Sequence, residues 1–401
     1  LLAQERKSFL LLRQMADKTK IFIFLPTLNI GGCEKQVFYL ARELSRRGYP
    51  ITLGTFYAGG LFWDKLKEEN LRLICLGKKG KFDIFNFLSR VKHFIKEEQF
   101  DVIQTFLPVT DFYGIYAGHF AGISSLFSGI RCSNINFFNY SLGRKCYFLL
   151  SKFVLNKYCK VVIYNSFSGK QYHEKVGFRV KGEVIWNGID FTETERIKNA
   201  LDRDKKRSEL GISSPAKVVS VIARLDPMKD HRALLRAFHS LVCQHDNLCL
   251  LIVGDGNGLV KNRLNSDIIR LKLEKYIKVL GPRSDADEII AISDALVSSS
   301  LFGEGLSNAV IEAMTLGTPV VSTLVGDHGV VLDQGRGLLV RPRDISSLAG
   351  SLEKVLFDNG LKSKITSNAC NFARKNFDLT KMVNSYLRVW GVDNHEFAPK
   401  L

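Results

Sequence analysis

Residues 294–322 read DALVSSSLFGEGLSNAVIEAMTLGTPVVS. An apolar run ends in serines, a glycine-flanked loop follows, and helical spacing then takes over, with Ala309, Val310, Ala313 and Met314 on one inward face. Ser307 or Asn308 suits the start of that helix, and Gly317, with Pro319 just beyond, suits its end. A second apolar run, PVVS, comes at once. Strand, loop, helix and strand in that order are a repeating unit of a parallel sheet covered by helices.

Outward from this stretch the unit recurs. Upstream, KVVSVIA leads to HRALLRAFHSLV, LCLLIVGDG to GLVKNRLNSDIIRLKL, and YIKVLG to ADEIIAIS. The first half repeats the scheme with KIFIFLP, ITLGTF, LRLICLG, DVIQTFL and VVIYNS as strands and VFYLARELSRRG as an amphipathic helix. Between the halves, residues 187–216 are polar and mostly strandless, which puts a boundary near residue 190. The expected fold is therefore α/β, with two doubly wound, Rossmann-like domains over residues 1–190 and 191–384 facing each other across a cleft. A last helix around residues 378–392 has apolar positions suited to packing back, so that the stretch from about 385 to 401 goes with the first domain.

The chain has 401 residues, 46% of them hydrophobic and 24% charged, which suits a globular protein of two ordinary domains. No apolar run reaches the roughly eighteen residues of a membrane-spanning helix. The opening residues, LLAQERKSFLLLRQMADKTK, lack a starting Met and a small-residue cleavage site and are not read as a secretory leader. Eight cysteines are scattered without Cys-x-x-Cys spacing, as expected of buried free thiols in a reducing cytosol. The net charge is +17, and it is uneven: residues 1–190 hold 28 Lys+Arg against 15 Asp+Glu, and the remainder 29 against 25. A basic first half suggests an anionic partner, either nucleic acid or the cytoplasmic face of a membrane. No helix-turn-helix, RNP or zinc-finger pattern supports the nucleic acid.

Two acids stand in the opening stretch, Glu304 in the loop and Glu312 inside the helix. The residues between them are small and apolar, so neither acid has an obvious local partner. Free amides at a helix start favour phosphate, and the backbone of Gly305, Leu306, Ser307 and Asn308 supplies them. A carboxylate repels phosphate, so Glu312 suits a ribose diol, and Glu304 suits a sugar attached beyond the phosphates. On spacing alone, a helix-surface acid and an ordinary loop acid fit as well. The loop ARLDPMKDH adds Arg224 and Lys229, a planar fork and a point charge suited to a diphosphate or to a negative leaving group. Gly31 and Gly32 precede a helix and allow a close approach of backbone to a ligand, or form a plain turn.

Together, EGLSNAVIEAMTLGTPVV, ARLDPMKD and GGCEKQVFYLARELSRRGY resemble the retaining family 4 glycosyltransferases of GT-B fold. The resemblance runs from about Ile21 to Arg388 and takes in NSFSGKQYHEKVGF and VIWNGIDF. It implies a nucleoside-diphosphate sugar donor, with a UDP-sugar favoured, held mainly by the second domain. It implies a glycan or polyprenyl-linked acceptor held mainly by the first, no cofactor, no catalytic metal, and a place in cell-surface polysaccharide synthesis. By the same resemblance Arg224 and Lys229 bind the diphosphate, Glu312 the ribose and Glu304 the donor sugar, while Gly31 and Gly32 approach the phosphates. Many relatives have a His after the strand matching DVIQTFL; here Pro108, Val109, Thr110 and Asp111 follow, so Thr110 or Asp111 is expected to position the acceptor. His119 lies two helical turns on and reads as structural.

The Asp-x-Asp pairs at 202–204 and 285–287 look like metal sites but read as linker and helix caps, and GDGNG at 254–258 lacks the last glycine of a dinucleotide fingerprint. Residues 143–160, GRKCYFLLSKFVLNKYCK, offer Arg144, Lys145, Lys152, Lys157 and Lys160 to an anionic inner membrane face, with Tyr147, Phe148, Leu149 and Phe153 to dip into it. The alternative is a helix that buries those aromatics. A nucleotide-sugar epimerase of the same architecture is the competing enzyme.

Overall fold

The structure, a computed structural model, describes residues 19–134, 142–256 and 258–392. Seven strands make the first sheet: β1 (Ile21–Phe24), β2 (Ile51–Thr55), β3 (Arg72–Cys75), β4 (Val102–Phe106), β5 (Ser125–Ile130), β6 (Val161–Tyr164) and β7 (Gly182–Val184). Six make the second: β8 (Lys217–Ile222), β9 (Leu248–Val253), β10 (Ile277–Gly281), β11 (Ala295–Ser298), β12 (Val320–Thr323) and β13 (Leu338–Val340). The spatial orders are β3-β2-β1-β4-β5-β6-β7 and β10-β9-β8-β11-β12-β13. All pairings within them are parallel. Each sheet reverses its order next to its first strand, at β1/β4 and at β8/β11, and at such a switch point the loops after the strands part to leave a crevice.

Strand alternation explains why both sheets are covered on both faces. In β1, Ile21 and Ile23 join the core formed with helix Gly32–Arg46, while Phe22 and Phe24 point to the other face, among Phe87, Phe100 and Tyr113. Each such side chain, fully withdrawn from water, contributes roughly 1.5–3 kcal/mol. In the second half, Val219 and Val221 of β8 pack with Leu234 and Phe238, and Val218 lies with Leu251 and Ile289 on the opposite face.

The boundary region is helical rather than a loose linker: helices span Phe191–Ala200 and Arg203–Glu209, capped by the carboxylates of Asp190 and Asp202. The last helix runs from Leu379 to Trp390, and Leu379, Met382, Val383, Tyr386, Leu387 and Trp390 join the core of the first sheet. The segment 385–401 thus contributes only its first residues to that helix, and 393–401 lie outside the described residues. The thiols depart from expectation, since Cys75, Cys146 and Cys243 are exposed and only Cys249 is buried.

Candidate functional site

The loops at the two switch points open onto one cleft of about 1260 Å³, lined from both halves. Helix Asn308–Leu316 begins there with Ser307 at its N-cap, and it ends at Gly317, whose φ of 80° is the left-handed conformation a helix stop favours. Glu304, Ser307, Asn308 and Glu312 all line the cleft, as do Gly31, Gly32, Arg224 and Lys229. The side chain of Leu306 is buried in the core, so only its backbone faces polar groups; its carbonyl accepts from Asn187 Nδ2 at 3.2 Å.

Both acids have lysine partners, contrary to the local reading. Lys229 reaches Glu304 Oε2 in a close charge-assisted hydrogen bond, and Ser300 Oγ donates to the same oxygen at 3.1 Å. The lysine is aimed by its own turn: Asp226 caps the short helix Pro227–Lys229 by accepting from the Met228 amide at 3.0 Å, and Ser299 Oγ donates to the Lys229 carbonyl at 2.8 Å. Burial pushes the Glu304 carboxyl up, but Lys229, with His328 and the Ser300 hydroxyl, holds the group below its ordinary range, so Glu304 is ionised. Glu312 meets Lys35, of helix Gly32–Arg46, with Nζ 2.8 Å from Oε1. The same ammonium donates to both oxygens of Asp287 at 3.0 Å.

Arg224 differs from Lys229. It is largely exposed, and its contact with Asp226 is a loose 3.5 Å. The cleft therefore offers an exposed, loosely held guanidinium beside a lysine already engaged by an acid. Gly31 is extended, and a Cβ built on it would lie 2.2 Å from Glu34 Oε2, so this carboxylate sits over the helix start where phosphates were expected to come close. Gly32 gives its carbonyl to Asn308 Nδ2 at 2.9 Å, and Asn308 Oδ1 accepts from Asn187 at 2.7 Å. Asn308 is thereby a bridge between the halves.

Other ties hold the halves in this closed arrangement. Asp327 accepts from the amides of Phe167 and Ser168 at 2.8 and 3.0 Å, the first turn of helix Phe167–Lys175, and from Trp186 Nε1 at 3.0 Å. The loop carrying Glu304 also bridges to Cys132. Gly305 allows such an approach, since a Cβ on it would lie 2.4 Å from Asn165 Oδ1, while Gly326 lets its own loop close on that of Glu304, whose carbonyl a Cβ there would meet at 2.1 Å.

Thr110 and Asp111, expected at the acceptor, do not line the cleft. Both are fully buried. Thr110 Oγ1 donates to the carbonyls of Phe106 and Leu107, and Asp111 accepts from Thr105, Ser128 and Ser151 at 2.6, 2.7 and 2.8 Å. Burial pushes the Asp111 carboxyl up to about 6 against those three hydroxyls. With every polar atom turned inward, neither side chain reaches an acceptor. His119 stacks on Tyr158 at 4.1 Å, outside the cleft lining. The residues of the first half that do face the cleft include Arg131, which carried no local signal, and Lys145 and Tyr147, which the sequence pointed toward a membrane instead.

The Asp-x-Asp pairs are also accounted for. Asp285 stands at an N-cap position without capping; it accepts from Arg283 and Lys206, whose positive charges hold it far below the usual carboxylate range. Asp287 is taken by Lys35, and Asp202 caps its helix. Among the described residues no cluster of His, Cys, Asp and Glu has the makings of a metal site. At Gly254 and Gly256 the GDGNG turn presses its backbone against Ala223 and Leu225, which explains those glycines without a dinucleotide.

Two family descriptions match the chain: Glycosyltransferase Family 4 over residues 30–193 and Glycosyl transferases group 1 over residues 202–372. A D-inositol 3-phosphate glycosyltransferase of Corynebacterium jeikeium is 31% identical over 202 residues, 48% of this chain, which spans about half (47%) of that relative's length. The UDP-Gal:alpha-D-GlcNAc-diphosphoundecaprenol alpha-1,3-galactosyltransferase of Escherichia coli is 27% identical over 315 residues, covering 75% of this chain and 78% of its own. In fold, the chain is similar to HepE of Anabaena, solved with UDP and glucose, at a TM-score of 0.83 and 23% identity over 93% of this chain and 99% of that one. Two facing parallel sheets, a cleft at their switch points and the paired matches lead to one conclusion: the chain belongs to the group 1, family 4 glycosyltransferases and has the GT-B fold.

Proposed function

We propose that the protein transfers a sugar from a UDP-sugar to a lipid-linked glycan, with retention at the anomeric carbon and without a bound metal, in building a cell-surface polysaccharide. The observation that carries this reading is the meeting in one cleft of an acid in the first turns of a helix, a loosely held guanidinium and a second, ionised acid paired with lysine. In this reading Glu312 accepts from the ribose hydroxyls, and Arg224, Lys229 and the amides opening the Asn308–Leu316 helix receive the diphosphate. The bond from C1 of the sugar to the diphosphate oxygen breaks as the acceptor oxygen bonds to C1. The acceptor proton passes to the departing diphosphate, whose developing charge Arg224 and Lys229 stabilise. Glu304, kept ionised, accepts from a sugar hydroxyl. Arg131, Lys145 and Tyr147 line the acceptor side. The diphosphoundecaprenol acceptor and UDP-Gal donor of the Escherichia coli relative support the choice of substrate classes.

The test separates the two acids. Glu312→Gln should weaken UDP about tenfold or more, whereas Glu304→Gln should leave UDP within about threefold and cost the intact UDP-sugar more, as loss of a charged hydrogen bond does. Calorimetry with UDP and with a screen of UDP-sugars reads this, and turnover should survive exhaustive chelation. Equal losses for both ligands in both variants would overturn the division of roles.

We further propose that the first half docks on the cytoplasmic face of an anionic membrane. Helix Leu142–Tyr158 supports this with one exposed stripe: Leu142, Leu149, Leu150 and Phe153 are 76, 59, 41 and 60% accessible. Phe148 is buried and the half-buried Tyr147, its Oη 3.2 Å from Tyr113 Oη, lies between the core and the cleft, so neither dips into a membrane. Lys145, Lys157 and Lys160 remain as flanking charges, each worth roughly 1 kcal/mol near an anionic surface, while Lys152 donates to the Val176 carbonyl at 3.0 Å and the Arg144 side chain lies outside the described residues. Among the described residues no helix is long and apolar enough to cross a membrane. The protein should sediment with vesicles containing anionic lipid, less so as salt rises, and Leu149→Ser/Phe153→Ser should remove most of the binding. Equal binding to neutral vesicles, or none at low salt, would refute docking of this kind.

A further inference from the structure

Lys35 belongs to the first half, yet its ammonium lies between two acids of the second. It is 2.8 Å from Glu312 Oε1 and 3.0 Å from each oxygen of Asp287. All three groups are largely withdrawn from water. The ammonium takes up one side of Glu312 Oε1 and leaves the rest of the carboxylate its acceptor capacity. A carboxylate has about four lone-pair sites, and a ribose diol needs two of them.

We propose that Lys35 is a positioning residue of the nucleotide site, lent by the first half, which keeps Glu312 charged so that it accepts both ribose hydroxyls. This rests on the ribose reading of Glu312. Two carboxylates sharing a buried space repel each other, and one of them takes a proton unless a cation stands between them. The surroundings leave that task to Lys35. From its own helix Tyr39 faces the pair; from helix Ala286–Ile292 comes Asp287; from the start of helix Phe191–Ala200 come Asp190 and Glu193, around a void of about 10 Å³. The nearby Arg42 is engaged by Asp190 at 2.6 Å. Even with Lys35 in place, burial and then Asp287 push the Glu312 carboxyl up against the pull of the ammonium, while Lys35 itself, despite burial, is held well above its ordinary range by the two acids. The second half therefore carries an acid that is fit for ribose only while the first half is closed upon it.

The experiment is calorimetric titration with UDP from pH 6 to 9, expressed as the ratio of variant to wild type at each pH so that the nucleotide's own titration cancels. Lys35→Met should bind about tenfold more weakly near pH 6.5 and recover to within about threefold by pH 9, as the uncompensated pair gives up its proton. Lys35→Arg should stay close to wild type throughout. Asp287→Asn, which leaves the lysine with one acid and disturbs packing least, should hold its affinity further down in pH than wild type does. A Lys35→Met deficit that is constant with pH, or absent, overturns the proposal, as does an Asp287→Asn profile parallel to wild type. If instead Glu312→Gln binds UDP as wild type does, the ribose reading itself has failed.

Discussion

Lys229→Ala should lower kcat by roughly 10²–10³-fold and destabilise the protein by about 3–5 kcal/mol, because one substitution removes a transition-state cation and strands a buried acid. The sign of the pH dependence follows from Glu304. In the wild type its carboxyl is held below the ordinary range, so its contribution is present above the unfolded titration and lost as pH falls through the folded one. Without Lys229, burial is opposed only by His328 and the Ser300 hydroxyl, so the carboxyl moves up; the variant is then penalised as pH rises through that higher value. Its deficit against wild type in urea denaturation should be larger at pH 8 than at pH 5. Lys229→Met/Glu304→Gln should regain much of the stability and none of the turnover. An unchanged kcat in Lys229→Ala, or equal deficits at the two pH values, would show that the pair is not what sets the local charge.

Trp390→Ala should cost about 3–5 kcal/mol although it lies 286 residues from its partner in the strand it stabilises, by the ordinary cost of emptying a core site. The indole fills the first core beside Tyr386 and Leu387, and its Nε1 donates to Gln104 Oε1 of β4 at 3.0 Å. Removing it leaves a cavity and a buried amide without its donor. Trp390→Phe, which keeps most of the volume, should cost about 1–3 kcal/mol for the unsatisfied Gln104 alone. Denaturation midpoints of the two variants check this; a loss below about 1 kcal/mol for Trp390→Ala would mean that the last helix is peripheral to the first core.

What was legible in the sequence had a local cause. The Asn308–Leu316 helix was readable at both ends because a serine opens it and a glycine with positive φ closes it. His231–Val242 matched its apolar repeat residue for residue. Strand β5, SLFSGI, escaped because its serines and glycine break the apolar run, and β7 and β13 are only three residues each. Within the site, the chain order of the switch-point loops brought Arg224, Lys229, Glu304 and Glu312 to one cleft. Side-chain direction was a different matter. Thr110 and Asp111 lie in the right loop, but a short helical turn leads into the π-helical turn Asp111–Ile115 and swings both inward. Lys35 was invisible because its partners come from two other helices and depend on how the halves meet.

The reach of Asp327 across the cleft has a kinetic side. Its carboxylate is the cap of the Phe167–Lys175 helix together with Ser166, so parting the halves uncaps that helix and exposes the Phe167 and Ser168 amides at the same instant. Amide hydrogen exchange at these two positions then proceeds through openings of the cleft rather than through unfolding of the sheet behind them. The chain carries its own clock for domain motion, readable without any label, and a bound donor that holds the halves together would slow it.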